Sequence, residues 1–282
     1  MSIIFFSSCT DTTQMTKKSN NLTEKEKHEL NLFFKHLLLR EHGIYVLFGS
    51  KPLATCQAIY MTSQEQVKEY EKFNKEIREK IVWVKIDFDF QWWENVKDEI
   101  KPTQYLIFQK DTSHPKVKDV FFVSIRNTAL VLQKNYDLFR KIVGYEFSPL
   151  EIVFEIEKES SDFWNKVFEN PILRGIIFGY GLDNTYLFTW MQKAKKSSSE
   201  TIQSYANSFS NIFQTTMSDL DIKLVLSDSL DKKLNYQDFP VPGYRSLKDD
   251  PQKKKYLKEQ KKIKKTYRRK NSLEVTLQKL CE

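Results

Sequence analysis

The segment 170–190 constrains the fold most, because it is the most apolar run in a chain rich in Lys and Glu. Asn170 is a preferred helix N-cap, and Pro171 suits the first helical position, where no N–H donor is needed. The apolar positions that follow cover nearly every side of a helix, which predicts burial; they are Ile172, Leu173, Ile176, Ile177 and Tyr180. Gly175 and Gly179 lie about one turn apart, and each costs about 1 kcal/mol relative to Ala. We therefore predict a core helix that another element approaches closely at these glycines.

The spacing of apolar residues elsewhere predicts the fold class. Helical spacing dominates, and Thr23 with Glu26 forms a capping-box pattern at the start of the first helix. The 7 Gly and 8 Pro in 282 residues are too few for a turn-rich all-β fold or a disordered chain. Short β-like runs predict antiparallel hairpins over residues 44–60 and 104–125. The sequence thus predicts one α+β domain, mainly helical, whose hairpins pack against helices centred on residues 171–191.

Caps and periodicity predict several further elements. Asn127 caps a helix that runs through Val143 and ends at a glycine. The Ser-Pro pair at residues 148–149 begins another helix. Residues 63–80 have the narrow apolar stripe of a helix that covers the core from outside, and residues 81–90 form a β-branched and aromatic run typical of a strand.

The positive charge of the chain is concentrated in one segment. The formal net charge is +8, but residues 245–270 hold 13 Lys or Arg and 3 Asp or Glu, a net charge of +10. The remaining residues therefore sum to −2. Charge and apolar spacing suggest that residues 23–250 form the α+β body and that residues 251–282 form a basic C-terminal helix docked on that body; residues 1–22 precede the body.

The basic helix is the main candidate interaction surface. The residues that we expect to bind an anionic surface are Lys254, Lys258, Lys261, Lys265, Arg268 and Arg269. Anionic lipid headgroups are one partner, since each basic residue near such a surface contributes about 1 kcal/mol. A nucleic acid is a second partner. A third interpretation is a solvated helix that docks through its thin apolar stripe and binds nothing, because runs of charge are commonly exposed faces.

The N-terminal residues carry a resemblance. Cys9 follows Phe6, Ser7 and Ser8, and this stretch resembles the lipobox of bacterial lipoproteins, in which the cysteine becomes the lipidated N-terminus once the signal peptide is removed. The chain departs from that pattern at Phe6, where Leu is usual, and in its short apolar run without a basic leader. The resemblance implies lipidation of Cys9, and it makes residues 1–22 a truncated signal with its lipobox, followed by a flexible tether. The polar residues 10–22 are typical of a flexible spacer behind such an anchor.

The other cysteines and the apolar runs of the chain indicate no disulfide framework, metal cluster or membrane-spanning helix. Cys56 and Cys281, with Cys9, are too few and too widely spaced for a disulfide framework or a metal cluster. No apolar run reaches the roughly 18 residues that a membrane-spanning helix requires. The sequence therefore predicts no such helix, and membrane attachment would depend on the lipid.

The pattern Asp87-x-Asp89 is a weak candidate for chemistry. Two carboxylates at strand spacing share one face and could hold a metal ion, as in nucleotide-sugar transferases with an Asp-x-Asp motif. We favour the alternative, in which these acids are exposed and alternate with buried Phe88 and Phe90. The sequence has no Gly-rich phosphate loop, no His-Glu-x-x-His and no Gly-x-Ser-x-Gly. We therefore predict no catalytic residue and no cofactor.

Two longer stretches resemble an uncharacterised family of lipid-anchored proteins from chlamydia-like intracellular bacteria. They are residues 33–52 and residues 173–188, and the resemblance implies no activity. We predict a membrane-tethered lipoprotein of the bacterial cell envelope with a binding or structural role. One alternative is a metal-dependent enzyme that acts on a nucleotide-sugar or phosphate substrate through Asp87 and Asp89. Another is a cytosolic nucleic-acid-binding protein that uses the basic helix.

Overall fold

A small antiparallel sheet lies between two hydrophobic cores, each covered by helices. The computed structural model describes residues 22–60, 90–204, 214–215, 234–246 and 249–282. These residues form a mainly helical α+β domain, which confirms the predicted fold class.

The elements follow in chain order. The α-helices are α1 (Glu24–Lys35), α2 (Ile44–Leu47), α3 (Gln91–Ile100), α4 (Ile125–Lys134), α5 (Tyr136–Val143), α6 (Asp162–Glu169), α7 (Pro171–Ile177), α8 (Leu182–Lys195), α9 (Pro251–Tyr267) and α10 (Ser272–Cys281). A π-helical turn spans His36–Arg40, and a 3-10 helix spans Glu151–Glu155. The strands are β1 (Leu53–Ile59), β2 (Tyr105–Asp111), β3 (Val117–Ser124), β4 (Gln214–Thr215) and β5 (Arg245–Ser246).

Strand β3 is central, and its side chains join the two cores. β1 and β2 both pair with β3 antiparallel, so that Thr55 and Phe108 lie opposite Phe121. Phe122 belongs to the first core, whereas Phe121 and Val123 belong to the second. Side chains alternate along a strand, so a strand that is apolar at successive positions needs cover on both faces. Helices α1, α2, α3, α9 and α10 contribute to the first core, and α4, α5, α6 and α7 to the second.

The structure confirms one predicted hairpin and shows that the other is wrong. β2 and β3 pair within residues 104–125, as predicted. Over residues 44–60, α2 is a helix and β1 pairs with β3, so these residues form no hairpin. The side chains of α2 are all at most 2% exposed. A short run that is buried on every side has no period that distinguishes a strand from a helix.

The predicted core helix is two helices, α7 and α8, that pack against each other. A Cβ added at Gly175 would lie 2.6 Å from the hydroxyl oxygen of Thr185, which confirms the close approach predicted there. Gly179 instead follows the end of α7 and has a φ of 82°. This backbone conformation, which glycine adopts readily, turns the chain before α8. The Asn170 side chain caps α7 by accepting from two backbone N–H groups, as predicted.

Other predictions differ in detail. The helix predicted from Asn127 to Val143 is divided into α4 and α5 at Asn135. Ser124 caps α4, because its hydroxyl accepts from the Asn127 backbone N–H at 3.3 Å. Gly144 ends α5 with a φ of 95°, as predicted. The helix predicted from residues 148–149 is the 3-10 helix of five residues. The helix predicted over residues 63–80 and most of the strand predicted over residues 81–90 lie outside the described residues.

Lys51 is an ionisable residue whose side chain is almost completely buried. Its side chain is 3% exposed, and its amine donates to the carbonyl of Leu53 and lies 5.5 Å from the centre of the Phe178 ring. Burial lowers the pKa of the Lys51 amine to about 7, although Glu41 opposes the shift. Burial and the charge of Lys51 also lower the pKa of His42 to about 3. The folded protein therefore disfavours positive charge at this position.

We predict that Lys51→Met stabilises the protein at pH 7 and removes the dependence of its free energy of unfolding on the ionisation of Lys51. The folded amine has a pKa of about 7, whereas an unfolded Lys has a pKa of about 10.4. The unfolded state thus binds more protons between these values, so stability rises with pH, by up to about 1.4 kcal/mol per pH unit. Urea unfolding of both proteins at about pH 7 and about pH 9 measures this. Folded His42 is neutral at both values, so its contribution is the same in the two proteins and cancels in the comparison. The prediction would be contradicted if the free energy of unfolding changed equally in the two proteins between pH 7 and pH 9.

Candidate anionic-surface interface

Helix α9 has a defined start. The Asp250 carboxylate accepts from the backbone N–H groups of Gln252 at 3.1 Å and Lys253 at 3.0 Å, and Pro251 occupies the first helical position. The Tyr244 hydroxyl donates to the same carboxylate at 2.5 Å. An acidic N-cap also suits the positive end of the helix dipole. These contacts set where α9 begins relative to the body.

A narrow apolar stripe holds α9 against the first core. Tyr256, Ile263 and Tyr267 are at most 3% exposed. The Tyr256 hydroxyl donates to the carbonyl of Gly179 at 2.9 Å, and its ring meets the Tyr45 ring edge-on at 5.3 Å. The Tyr267 ring stacks on Tyr236 at 4.2 Å. Three buried side chains at helical spacing therefore fix the rotation of α9 about its axis.

The predicted lysines form a line on the opposite side of α9. Lys254, Lys258, Lys261 and Lys265 are all exposed, and their spacing of four, three and four residues places them within an arc of roughly 60° on a regular helix. The centre of that arc lies roughly half a turn from the buried stripe. With a rise of about 1.5 Å per residue, the line is roughly 16 Å long. The sequence identified these residues, and the structure shows that they share one face.

Acidic residues neutralise only part of this face. Glu259 is the only acid in residues 251–270, and its carboxylate faces the body, where it accepts from the Ser50 backbone N–H at 3.2 Å. Lys254 pairs with Asp249 at 3.2 Å. Across the described residues, no carboxylate forms an ion pair with Lys258, Lys261 or Lys265. The middle and the C-terminal end of the line therefore present uncompensated positive charge.

Arg268 and Arg269 extend the charge beyond the end of α9. Both are exposed, and Arg268 has left the helical conformation with a ψ of 120°. Arg269 has a φ of 58°, a left-handed conformation that turns the chain into α10. All six residues predicted to bind an anionic surface thus lie on α9 or directly after it.

The other predicted sites cannot be placed. Cys9, Asp87 and Asp89 lie outside the described residues. Within the part of the chain that the structure describes, no group of His, Cys, Asp or Glu residues is arranged to hold a metal ion. The lipid anchor and the Asp87-x-Asp89 site therefore stay predictions from sequence.

A polar cavity of about 340 Å³ was missed by the sequence analysis. The π-helical turn, β1 and β3 line it with His36, Arg40, Glu41, Thr55, Cys56, Gln57 and Asp119. Arg40 pairs with Glu41 at 3.5 Å, and the Gln57 amide donates to Asp119 at 3.3 Å, so these polar groups partner one another. Burial raises the pKa of the Cys56 thiol well above its usual value, which keeps it protonated and poorly nucleophilic. The cavity offers no activated nucleophile.

Comparisons with known proteins found no relative of this chain. No protein-family model matches it, no curated protein is significantly similar, and no solved structure is significantly similar. The role of α9 is therefore inferred from its own contacts and charges.

We predict that Tyr256→Phe destabilises the fold by about 1–2 kcal/mol, because the buried Gly179 carbonyl loses its donor while the ring contacts stay. Tyr186→Phe is the matched control, since that tyrosine is 44% exposed. The free energy of unfolding from urea titration checks both. Equal stability of the two variants would contradict the role assigned to the hydrogen bond.

Proposed function

We propose that this protein is a lipoprotein of the bacterial cell envelope, tethered through Cys9, that lays the basic face of α9 on anionic lipid headgroups. The observation that supports this most is the line of exposed lysines opposite the buried stripe of α9. A helix that is fixed to a folded body presents its charges together, so a flat anionic surface can meet several of them at once.

The energetics favour a weak headgroup contact that reinforces an anchor. Each basic residue near an anionic leaflet contributes about 1 kcal/mol, and the attraction decays over a Debye length of about 8 Å. A diacylglyceryl anchor carries two acyl chains and holds the protein at the membrane, so the basic face adds a second contact that orients the body on the bilayer. The spacer predicted for residues 10–22 would span roughly 20 Å. A tether of that reach raises the local concentration of headgroups at α9.

Two features of α9 favour lipid over nucleic acid. Its two tyrosines, Tyr256 and Tyr267, are buried, so neither ring is available to stack on a base. Leu257 is 40% exposed beside the lysine line, and an apolar side chain among cations suits the boundary between headgroups and acyl chains. Within the described residues, no helix has the length and apolar character needed to cross a bilayer.

We predict that the protein made from its native gene carries a diacylglyceryl-sized mass on Cys9 and partitions into the detergent phase. Cys9→Ala should lose both properties, because the cysteine thiol is the acceptor in bacterial lipoproteins. Cys56→Ala is the matched control and should keep both. An unmodified wild-type protein in the aqueous phase would contradict the anchor.

We predict that neutralising the middle of the basic line weakens binding to phosphatidylglycerol vesicles roughly 100-fold. The variant is Lys258→Gln/Lys261→Gln/Lys265→Gln, in a Cys9→Ala background that removes the anchor; three lost cations at about 1 kcal/mol each give this factor.

The control carries Arg126→Gln/Lys134→Gln/Lys141→Gln, three exposed cations on α4 and α5, and changes the net charge equally. Sedimentation with vesicles in low and high salt measures both. Equal binding to phosphatidylcholine, or stronger binding to a DNA or RNA duplex at the same salt, would contradict the lipid assignment.

A further inference from the structure

Helix α8 carries a stripe of large apolar side chains that faces solvent. Leu182, Tyr186 and Trp190 are 38%, 44% and 43% exposed. Their spacing of four residues, with Lys193 three residues further on, places all four within an arc of roughly 80° on a regular helix. We call these four residues the α8 stripe. Single exposed apolar residues are ordinary on protein surfaces, whereas an aligned set of this kind indicates an interaction surface.

Helix α8 buries several polar side chains. Its buried residues are Asn184, Thr185, Thr189, Met191 and Ala194. The Asn184 amide donates to the carbonyl of Tyr180 at 2.8 Å, and the Thr185 hydroxyl donates to that of Gly181 at 2.7 Å. A helix of a water-soluble body normally buries its apolar side and exposes its polar side. Helix α8 therefore buries three polar side chains together with Met191 and Ala194, while four large apolar side chains stay exposed, namely Leu182, Tyr186, Phe188 and Trp190.

The chemistry of the α8 stripe fits a membrane interface. Trp and Tyr rings have an apolar body with one polar atom and are enriched at the level of lipid headgroups. Lys193 completes the stripe, and Lys195 also lies in the last turn; lysine stems can lie along apolar surface while the amine stays among headgroups. The acid Asp183 lies at the margin of the arc in the first turn, where the helix dipole favours a negative charge.

The α8 stripe begins where the basic helix begins. The Tyr256 hydroxyl of α9 donates to the carbonyl of Gly179, just before α8. A Cβ added at Gly181 would lie 3.9 Å from the Cβ of Gln252, so the first turns of α8 and α9 are in contact. Leu182 follows directly after Gly181. Helices α8 and α9 are thus neighbours at their N-terminal ends.

We propose that the α8 stripe inserts into the headgroup region of the same anionic bilayer that α9 contacts. This inference rests on the proposed function and adds to it an apolar contact beside the electrostatic one. The helix lies in the plane of the interface, with the Trp190 and Tyr186 rings among headgroups and upper acyl chains, where such helices bury about 5–10 Å.

Trp190 provides the test. The full chain, with an N-terminal polyhistidine tag, is attached to phosphatidylglycerol vesicles that contain a nickel-chelating lipid and a lipid with brominated chains, which quenches nearby tryptophan fluorescence. We expect quenching in the wild type, loss of most of it in Trp190→Phe, and retention in Trp92→Phe. Trp92 is the matched control because it is partly exposed on α3. Every protein in this test also carries Cys9→Ala, which prevents the processing that would remove an N-terminal tag, so the tag alone holds each variant at the membrane.

A second experiment, without a tag, measures how much the α8 stripe contributes to vesicle binding. In the Cys9→Ala chain, we expect Leu182→Ser/Tyr186→Ser to weaken partitioning into phosphatidylglycerol vesicles about tenfold or more. Leu130→Ser/Phe154→Ser, which changes two side chains that are 56% and 53% exposed on other helices, should leave it unchanged. Circular dichroism confirms that each variant is folded.

The outcomes separate the two proposals. Vesicle binding that depends on α9, with no quenching of Trp190, overturns the insertion and leaves the proposed function standing. If neither vesicle binding nor quenching of Trp190 is observed, the proposed function and the insertion are both overturned. A change of sedimentation coefficient in Leu182→Ser/Tyr186→Ser, with vesicle binding unaltered, identifies the α8 stripe as a contact between protein copies and also overturns the insertion.

Discussion

The docking of Tyr256 is the contact on which the arrangement of charged surfaces depends. Its ring is fully buried in the first core beside Tyr45, and its hydroxyl satisfies the carbonyl of Gly179 at the turn between α7 and α8. The glycine is required there because its φ of 82° is unfavourable for other residues. One side chain thereby fixes α9 to the body and sets the position of α8 relative to it.

Fixing the helix gives its charges a direction. A free basic segment exposes its lysines on all sides and loses conformational entropy when it binds. In α9 the apolar stripe faces the core, Glu259 is used in a contact with Ser50, and the lysine line faces solvent. The cost of ordering these side chains is partly met during folding, so a surface contact needs less further ordering.

Much of the local structure could be predicted from the sequence. The capping box of Thr23 and Glu26, the Asn170 cap and the β2–β3 hairpin depend on neighbouring residues, and each is confirmed. The partner of β1 could not be predicted, because β3 lies far along the chain. The π-helical turn has no distinctive sequence signal, and its three consecutive leucines, Leu37 to Leu39, are all buried.

In the candidate surface, too, some features could be predicted from the sequence and others depend on tertiary contacts. Composition alone identified the lysines of α9, but their alignment depends on which side Tyr256, Ile263 and Tyr267 bury. The inward position of Glu259 and the exposed stripe of α8 depend on tertiary contacts. The sequence of α8 does not indicate which of its sides is exposed, since no pattern within a helix that is apolar on several sides says which side another element will cover.

The most direct measurement is the acetylation rate of each lysine, by mass spectrometry, for the full lipidated chain on phosphatidylglycerol and on phosphatidylcholine vesicles. The account predicts selective protection of Lys254, Lys258, Lys261 and Lys265 on the anionic vesicles, with Lys134 and Lys141 reacting equally on both. Equal rates for the four α9 lysines on the two vesicles would contradict it.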